Sequence, residues 1–155
     1  MQHVTSNQQT FEKLDGIYRS VCVPSIENKG HRIKAVKPIN KGRHKLIATQ
    51  DNLKFYFIFK RAVFGTYAEQ FDGEKAVGES INIDRLWFCI DNKIDYILIG
   101  YPDGKIYSIK PQEWLEYANK HNTYRKVERK DYDKKNGIIE EKTASIDIRK
   151  LKRWN

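Results

Sequence analysis

The hairpin near the middle of the chain constrains the fold more than any other stretch. Asp95-Tyr96-Ile97-Leu98-Ile99-Gly100-Tyr101 is apolar at nearly every position, which predicts a strand covered on both faces. Pro102-Asp103-Gly104 follows. Proline presets φ for a turn entry, and glycine supplies the positive φ that closes the turn. The return strand over 105–110 alternates, with Ile106 and Ser108 on one face and Tyr107 and Ile109 on the other. Pro111 then starts a helix at its first turn, where a missing N–H does no harm.

Other elements arrange themselves around this hairpin. Phe11, Leu14, Ile17, Tyr18 and Val21 recur at helical spacing, predicting a first helix over 8–21 that ends before Pro24, after a polar, frayed start at 1–7. Short strands are expected at 31–37 and 43–49, with turns at 28–30 and 50–52 and a loop at 38–42. Residues 54–60, rich in Phe and Tyr, read as an aromatic strand. Val63, Phe64, Tyr67, Ala68 and Phe71 predict a helix over 61–71, followed by a polar loop at 72–78. Asn82 is placed to cap a helix over 83–91, with Leu86, Trp87 and Ile90 inward. The helix from Pro111 runs to Lys120 and packs through Trp114, Leu115 and Ala118. Residues 122–136 read as a charged loop or an edge strand, 137–148 as a strand and 149–155 as a basic tail. Residues 1–155 therefore read as a single α+β domain, with a mixed or mostly antiparallel sheet and flanking helices.

Composition narrows the function classes. At 155 residues and 39% hydrophobic, the chain can build one core of useful size. No stretch approaches the ~20 apolar residues of a membrane helix, and the start lacks a secretory pattern. A soluble, cytoplasmic protein with no membrane partner is expected. Cys22 and Cys89 sit among apolar neighbours and read as buried free thiols, and the four histidines fall at no metal-ligand spacing.

The net charge is +9 and is unevenly spread. Between Lys29 and Arg61, ten Lys and Arg residues face Asp51 alone. Between Glu69 and Asp103, eight acids face Lys75, Arg85 and Lys93. The last fourteen residues hold five Lys and Arg against Asp147. Basic flanks around an acidic centre suit a polyanion on the flanks and a cation between carboxylates. The plain alternative is that both charge runs are solvated faces.

Chemistry-bearing residues fall in three groups. Asp95 on one hairpin strand and Lys110 at the end of its partner can face one site, where a metal-bound carboxylate and a lysine serve phosphodiester hydrolysis. Gly78-Glu79-Ser80-Ile81-Asn82 carries a glutamate between a glycine and a helix cap. Lys60 and Arg61 end the aromatic strand, and Lys41, Arg43 and Lys45 form a second basic group, both suited to phosphate contacts. No P-loop, GxGxxG, HxxxH or nucleophile elbow occurs.

The order of aspartate, turn, strand, lysine and helix over 79–117 resembles the PD-(D/E)xK nucleases. That resemblance implies Asp95 as a metal ligand, Lys110 as charge stabiliser and Mg²⁺, or Mn²⁺, as cofactor. Ser108 stands where the acid-x-lysine motif has its acid. The Glu79 segment and the hairpin are also similar to small nucleases of archaeal filamentous viruses, which implies a catalytic loop glutamate at Glu79.

The expected function is a metal-dependent nuclease acting on DNA. Glu79 and Asp95 would be the metal-binding carboxylates, and Lys41, Arg43, Lys45, Lys60 and Arg61 would grip the backbone. The alternative is a non-catalytic DNA- or RNA-binding protein whose acids are structural. A protein-interaction subunit is the third reading, and a homodimer is compatible with all three.

Overall fold

The computed structural model describes residues 15–39, 44–60, 68–71, 74–131 and 137–155. A mixed six-stranded sheet is built from β1 (Ile33–Ile39), β2 (His44–Thr49), β3 (Lys54–Phe59), β6 (Tyr96–Gly100), β7 (Ile106–Ile109) and β10 (Lys152–Arg153), in that spatial order. A four-stranded antiparallel sheet runs β4 (Ala68–Phe71), β5 (Glu74–Asn82), β9 (Gly137–Asp147) and β8 (Tyr124–Asp131). Among the described residues, the α-helices α1 (Val23–Asn28), α2 (Ile83–Asp91) and α3 (Pro111–His121) accompany them. The expected α+β fold is the fold found.

β6 is the central element. It pairs parallel with β3 and antiparallel with β7. Its alternation feeds two cores. Ile97, Ile99 and Tyr101 join Tyr56, Ile58, Leu86, Trp114 and Ile146 on the face covered by α2, α3 and the second sheet. Leu98 joins Phe55, Phe57, Ile106, Tyr18 and Ile26 on the face covered by the first helical segment. Gly100 lets the Phe57 ring pass close by: a Cβ there would meet that ring at 2.6 Å. The 102–104 turn is as expected, with Gly104 at φ +85 and its N–H donating to the Tyr101 carbonyl at 2.9 Å.

Five local expectations give way to tertiary forces. The first helical segment does not stop before Pro24. A π-helical turn, Tyr18–Cys22, bonds the Val23 N–H to the Tyr18 carbonyl and leaves Pro24 in the first turn of α1, where it needs no N–H. Pro38 lies inside β1 rather than in a loop, which an edge strand permits.

The helix expected at 61–71 falls outside the described residues over 61–67. Residues 68–71 are strand β4, paired with β5. Residues 74–78, expected as loop, belong to β5, because backbone pairing across two neighbouring strands outweighs local polarity. Asn82 does cap α2, accepting from the Asp84 and Arg85 N–H groups. Yet Cys89 is fully buried beside Leu86, while Trp87 is 46% exposed, since residue 87 lies about 100° round the helix from 86.

The basic tail is docked against the sheet. Ile148–Lys150 forms a 3-10 turn and Leu151 is buried. β10 pairs with β7, and the Trp154 indole N–H donates to Ser25 Oγ at 3.1 Å with its ring against Phe55. Among the described residues, no helix is long and apolar enough to cross a membrane.

Candidate functional site

The C-terminal ends of the parallel pair β3 and β6 bring a charged cluster into the interior. Alternation along β3 puts Lys60 on the same face as Tyr56 and Ile58, and alternation along β6 does the same for Tyr101. β5 supplies Glu79, which lies opposite Ile146 of β9. Glu79 thus sits on a strand, not on a loop. Its side chain is 10% exposed, and its Oε2 lies 3.1 Å from Lys60 Nζ. Its Oε1 accepts the Tyr101 hydroxyl at 2.7 Å. Lys60 also donates to the Ser80 carbonyl at 2.9 Å.

Both carboxylate oxygens therefore have a donor, which is how a buried charge becomes tolerable. Burial, followed by the Glu79 charge and hydrogen bond, pushes the Tyr101 phenol far above its ordinary value. Tyr101 remains a proton donor to Glu79 at any ordinary pH.

Asp95 lies at the other end of β6, and Lys110 follows the neighbouring strand β7. The Lys54 N–H donates to Asp95 Oδ2 at 2.8 Å, and the Asp95 N–H returns a bond to the Lys54 carbonyl at 2.9 Å. Asp95 thereby fastens the entry of β6 to the entry of β3. Lys110, one step beyond the Ile97–Ile109 pair, is exposed and precedes α3. Asp95 and Lys110 thus flank adjacent strands, but the register sets Lys110 opposite Tyr96, one residue out of step with Asp95, so the two are on opposite faces of the sheet and not at the one site expected of them.

Glu79 and Asp95 are not brought together. They are separated by nearly the length of β6, roughly 15–20 Å at ~3.3 Å per residue, whereas carboxylates sharing one Mg²⁺ each lie about 2.1 Å from it. A cation at Glu79 would also have to displace Lys60. The described residues therefore do not fit the two-carboxylate Mg²⁺ centre. Among them, no three His, Cys, Asp or Glu side chains gather into a metal-ligating group.

Of the expected phosphate grip, Lys60 and Lys45 are both engaged with carboxylates. Lys45 points at Asp15, 3.3 Å away, and its side chain is 14% exposed over the Tyr18 ring. It ties β2 to the first helical segment instead of facing solvent. Burial acts to raise the Asp15 carboxyl, but hydrogen bonds from Arg19 and Lys45 outweigh it and hold the group below its usual range. Lys41, Arg43 and Arg61 lie outside the described residues. Phe55, Tyr56 and Phe57 are fully buried, so they are core residues and not platforms for bases. Cys22 and Cys89 are free and buried, and burial pushes the Cys89 thiol up to about 12. Neither is placed for thiolate chemistry.

The C-terminal segment adds an ordered cationic surface that the sequence does not single out as a site. Arg149, Lys150, Lys152 and Arg153 are all exposed, while Leu151 and Trp154 hold the backbone beneath them. Arg149 is clamped by Asp147, with Nε to Oδ2 at 2.8 Å. Arg153 lies 5.8 Å from the Tyr107 ring. The only signal for this in Arg-Lys-Leu-Lys-Arg-Trp is the pair of large apolar residues, Leu151 and Trp154, set among the cations, and they enter different cores.

The fold and this geometry define an α+β protein with a buried acid–lysine–tyrosine cluster and an ordered basic edge. No protein family, curated protein or solved structure matches the chain.

Proposed function

We propose that the protein binds nucleic acid through the cationic edge formed by the 3-10 turn and β10. The observation that carries this reading is the fixed frame under Lys150, Lys152 and Arg153. The Trp154 N–H donates to the Ile106 carbonyl at 2.8 Å, and Asn155 Oδ1 accepts the Ile106 N–H at 2.8 Å. Cations on an ordered strand lose less conformational freedom on meeting phosphates than cations on a loose tail. A positive net charge of +9 supports the same partner. Binding of this kind is electrostatic and weakly sequence-selective, because phosphate contacts position a strand without reading it.

The test is the salt dependence of DNA and RNA binding by fluorescence anisotropy. The expected log–log slope is about −0.9 per duplex phosphate neutralised, and Lys150→Ala/Lys152→Ala/Arg153→Ala should flatten it by about 2–3. Lys34→Ala/Lys37→Ala, on exposed β1 five strand intervals and roughly 24 Å away, is the control. Affinity that ignores salt would remove the proposal.

A nuclease reading draws on one observation: Glu79 lies at the C-terminal ends of parallel strands, where open α/β sheets commonly bind ligands. Linear DNA incubated with Mg²⁺ or Mn²⁺, with and without EDTA, decides it. Metal-dependent cleavage that Glu79→Gln abolishes and Asp95→Asn retains would make the protein an enzyme.

A further inference from the structure

Between α3 and the Ile148–Lys150 turn lies an open groove of about 290 Å³. Ile109 and Ile146, both buried, form its floor. Tyr117 of α3 lines one part, with Glu113 one turn earlier, and Arg149, Lys150 and Lys152 supply cations. His121 packs on the Tyr117 ring at 4.4 Å between centroids and fixes its orientation. Asp147 fixes the Arg149 guanidinium and cancels its charge. The uncancelled positive charge at the groove therefore comes from Lys150 and Lys152, with Glu113 opposing it on the α3 side.

We infer that this groove takes one nucleotide of an unpaired strand, its base against Tyr117 and its phosphate on Lys150 and Lys152. The inference rests on the nucleic-acid reading and names the strand form that the site selects. Three features lead to it. The volume lies just below the ~300–1,000 Å³ range of ligand pockets, so it suits a single nucleotide and not a helix. An apolar floor beside an aromatic ring favours a flat, weakly polar group, and a base in a duplex is paired and stacked away from such a surface. Finally, Glu113 repels phosphate from the α3 side, so the backbone lies toward the lysines and the base toward Tyr117.

The test uses the full chain and three probes of one length: single-stranded DNA, the same strand in a duplex, and the strand with abasic sites but every phosphate kept. An RNA strand of the same sequence shows whether the sugar matters. The expected result is single-strand binding about tenfold tighter than either the duplex or the abasic strand at equal salt. Tyr117→Ala should remove that margin and Tyr117→Phe should retain it. Lys150→Ala/Lys152→Ala should weaken the normal and abasic strands equally. Equal affinity of wild-type protein for the normal and abasic strands would overturn the inference, and so would a margin that survives Tyr117→Ala. The wild-type comparison needs no variant to fold. Binding of all probes without preference leaves the cationic-edge reading standing and this one refuted, whereas no binding to any probe at low salt refutes both.

Discussion

The two ends of the β3–β6 pair carry similar residues and use them oppositely. At the exit, Glu79 is 10% exposed and meets Lys60 and the Tyr101 hydroxyl from separate strands. At the entry, Asp95 bonds the backbone of Lys54, and Lys110 is exposed. The exit cluster ties the six-stranded sheet to the second sheet, because Glu79 belongs to β5 while its partners follow β3 and β6. The entry acid ties only neighbouring strands of one sheet. A carboxylate's weight in a fold thus depends on how much water it has given up and how many elements it joins.

The largest expected effect comes from breaking the exit pair. Lys60→Met leaves Glu79 with Tyr101 and little water, and should cost about 2–4 kcal/mol, below the top of the buried-pair range because Lys60 is itself partly exposed. Urea unfolding measures it, and a loss under about 0.5 kcal/mol, the ordinary surface scale, would erase the contrast between the ends. Tyr101→Phe removes one donor but keeps the ring in place. About 1–2 kcal/mol is expected by the same measurement.

Acid titration sharpens the comparison further. Asp147, paired with Gly78 beside Glu79, is held below the usual carboxylate range chiefly by its hydrogen bond from Arg149, with burial opposing. A lowered folded-state value means its contribution is present above the unfolded pKa near ~4 and is lost as pH falls through the folded one. Thermal stability should therefore decline below about pH 4, and Arg149→Ala should make that decline shallower. An unchanged acid limb in the variant would show that this pair does not couple to folding.

The smallest effect belongs to the entry. Asp95→Asn keeps an oxygen able to accept the Lys54 N–H, so a change of about 0.5 kcal/mol or less is expected. A loss equal to that of Lys60→Met would make the two ends equivalent.

Local chemistry in the chain determined the hairpin, its turn and the helices that follow. An unbroken apolar run has no solvent face, so 96–100 had to be an interior strand. Pro102 and Gly104 left few turns to choose from, and Asn82 and Pro111 each satisfy the backbone needs of a helix start. These are interactions within a few residues, and they can be read from spacing. Pairing between distant segments cannot be read that way. Residues 74–78 look like loop until β4 and β9 supply hydrogen-bond partners. Pro24 looks like a stop until a π turn absorbs it. Lys45 looks like a phosphate contact until Asp15 approaches it. Glu79 and Asp95 look like one centre because both are acids near the hairpin, and the strand between them keeps them apart. The partner of a charge is chosen by contacts many residues away, and its strength by the water those contacts exclude, so only the tertiary structure could decide which acid is buried and which lysine is spent on it.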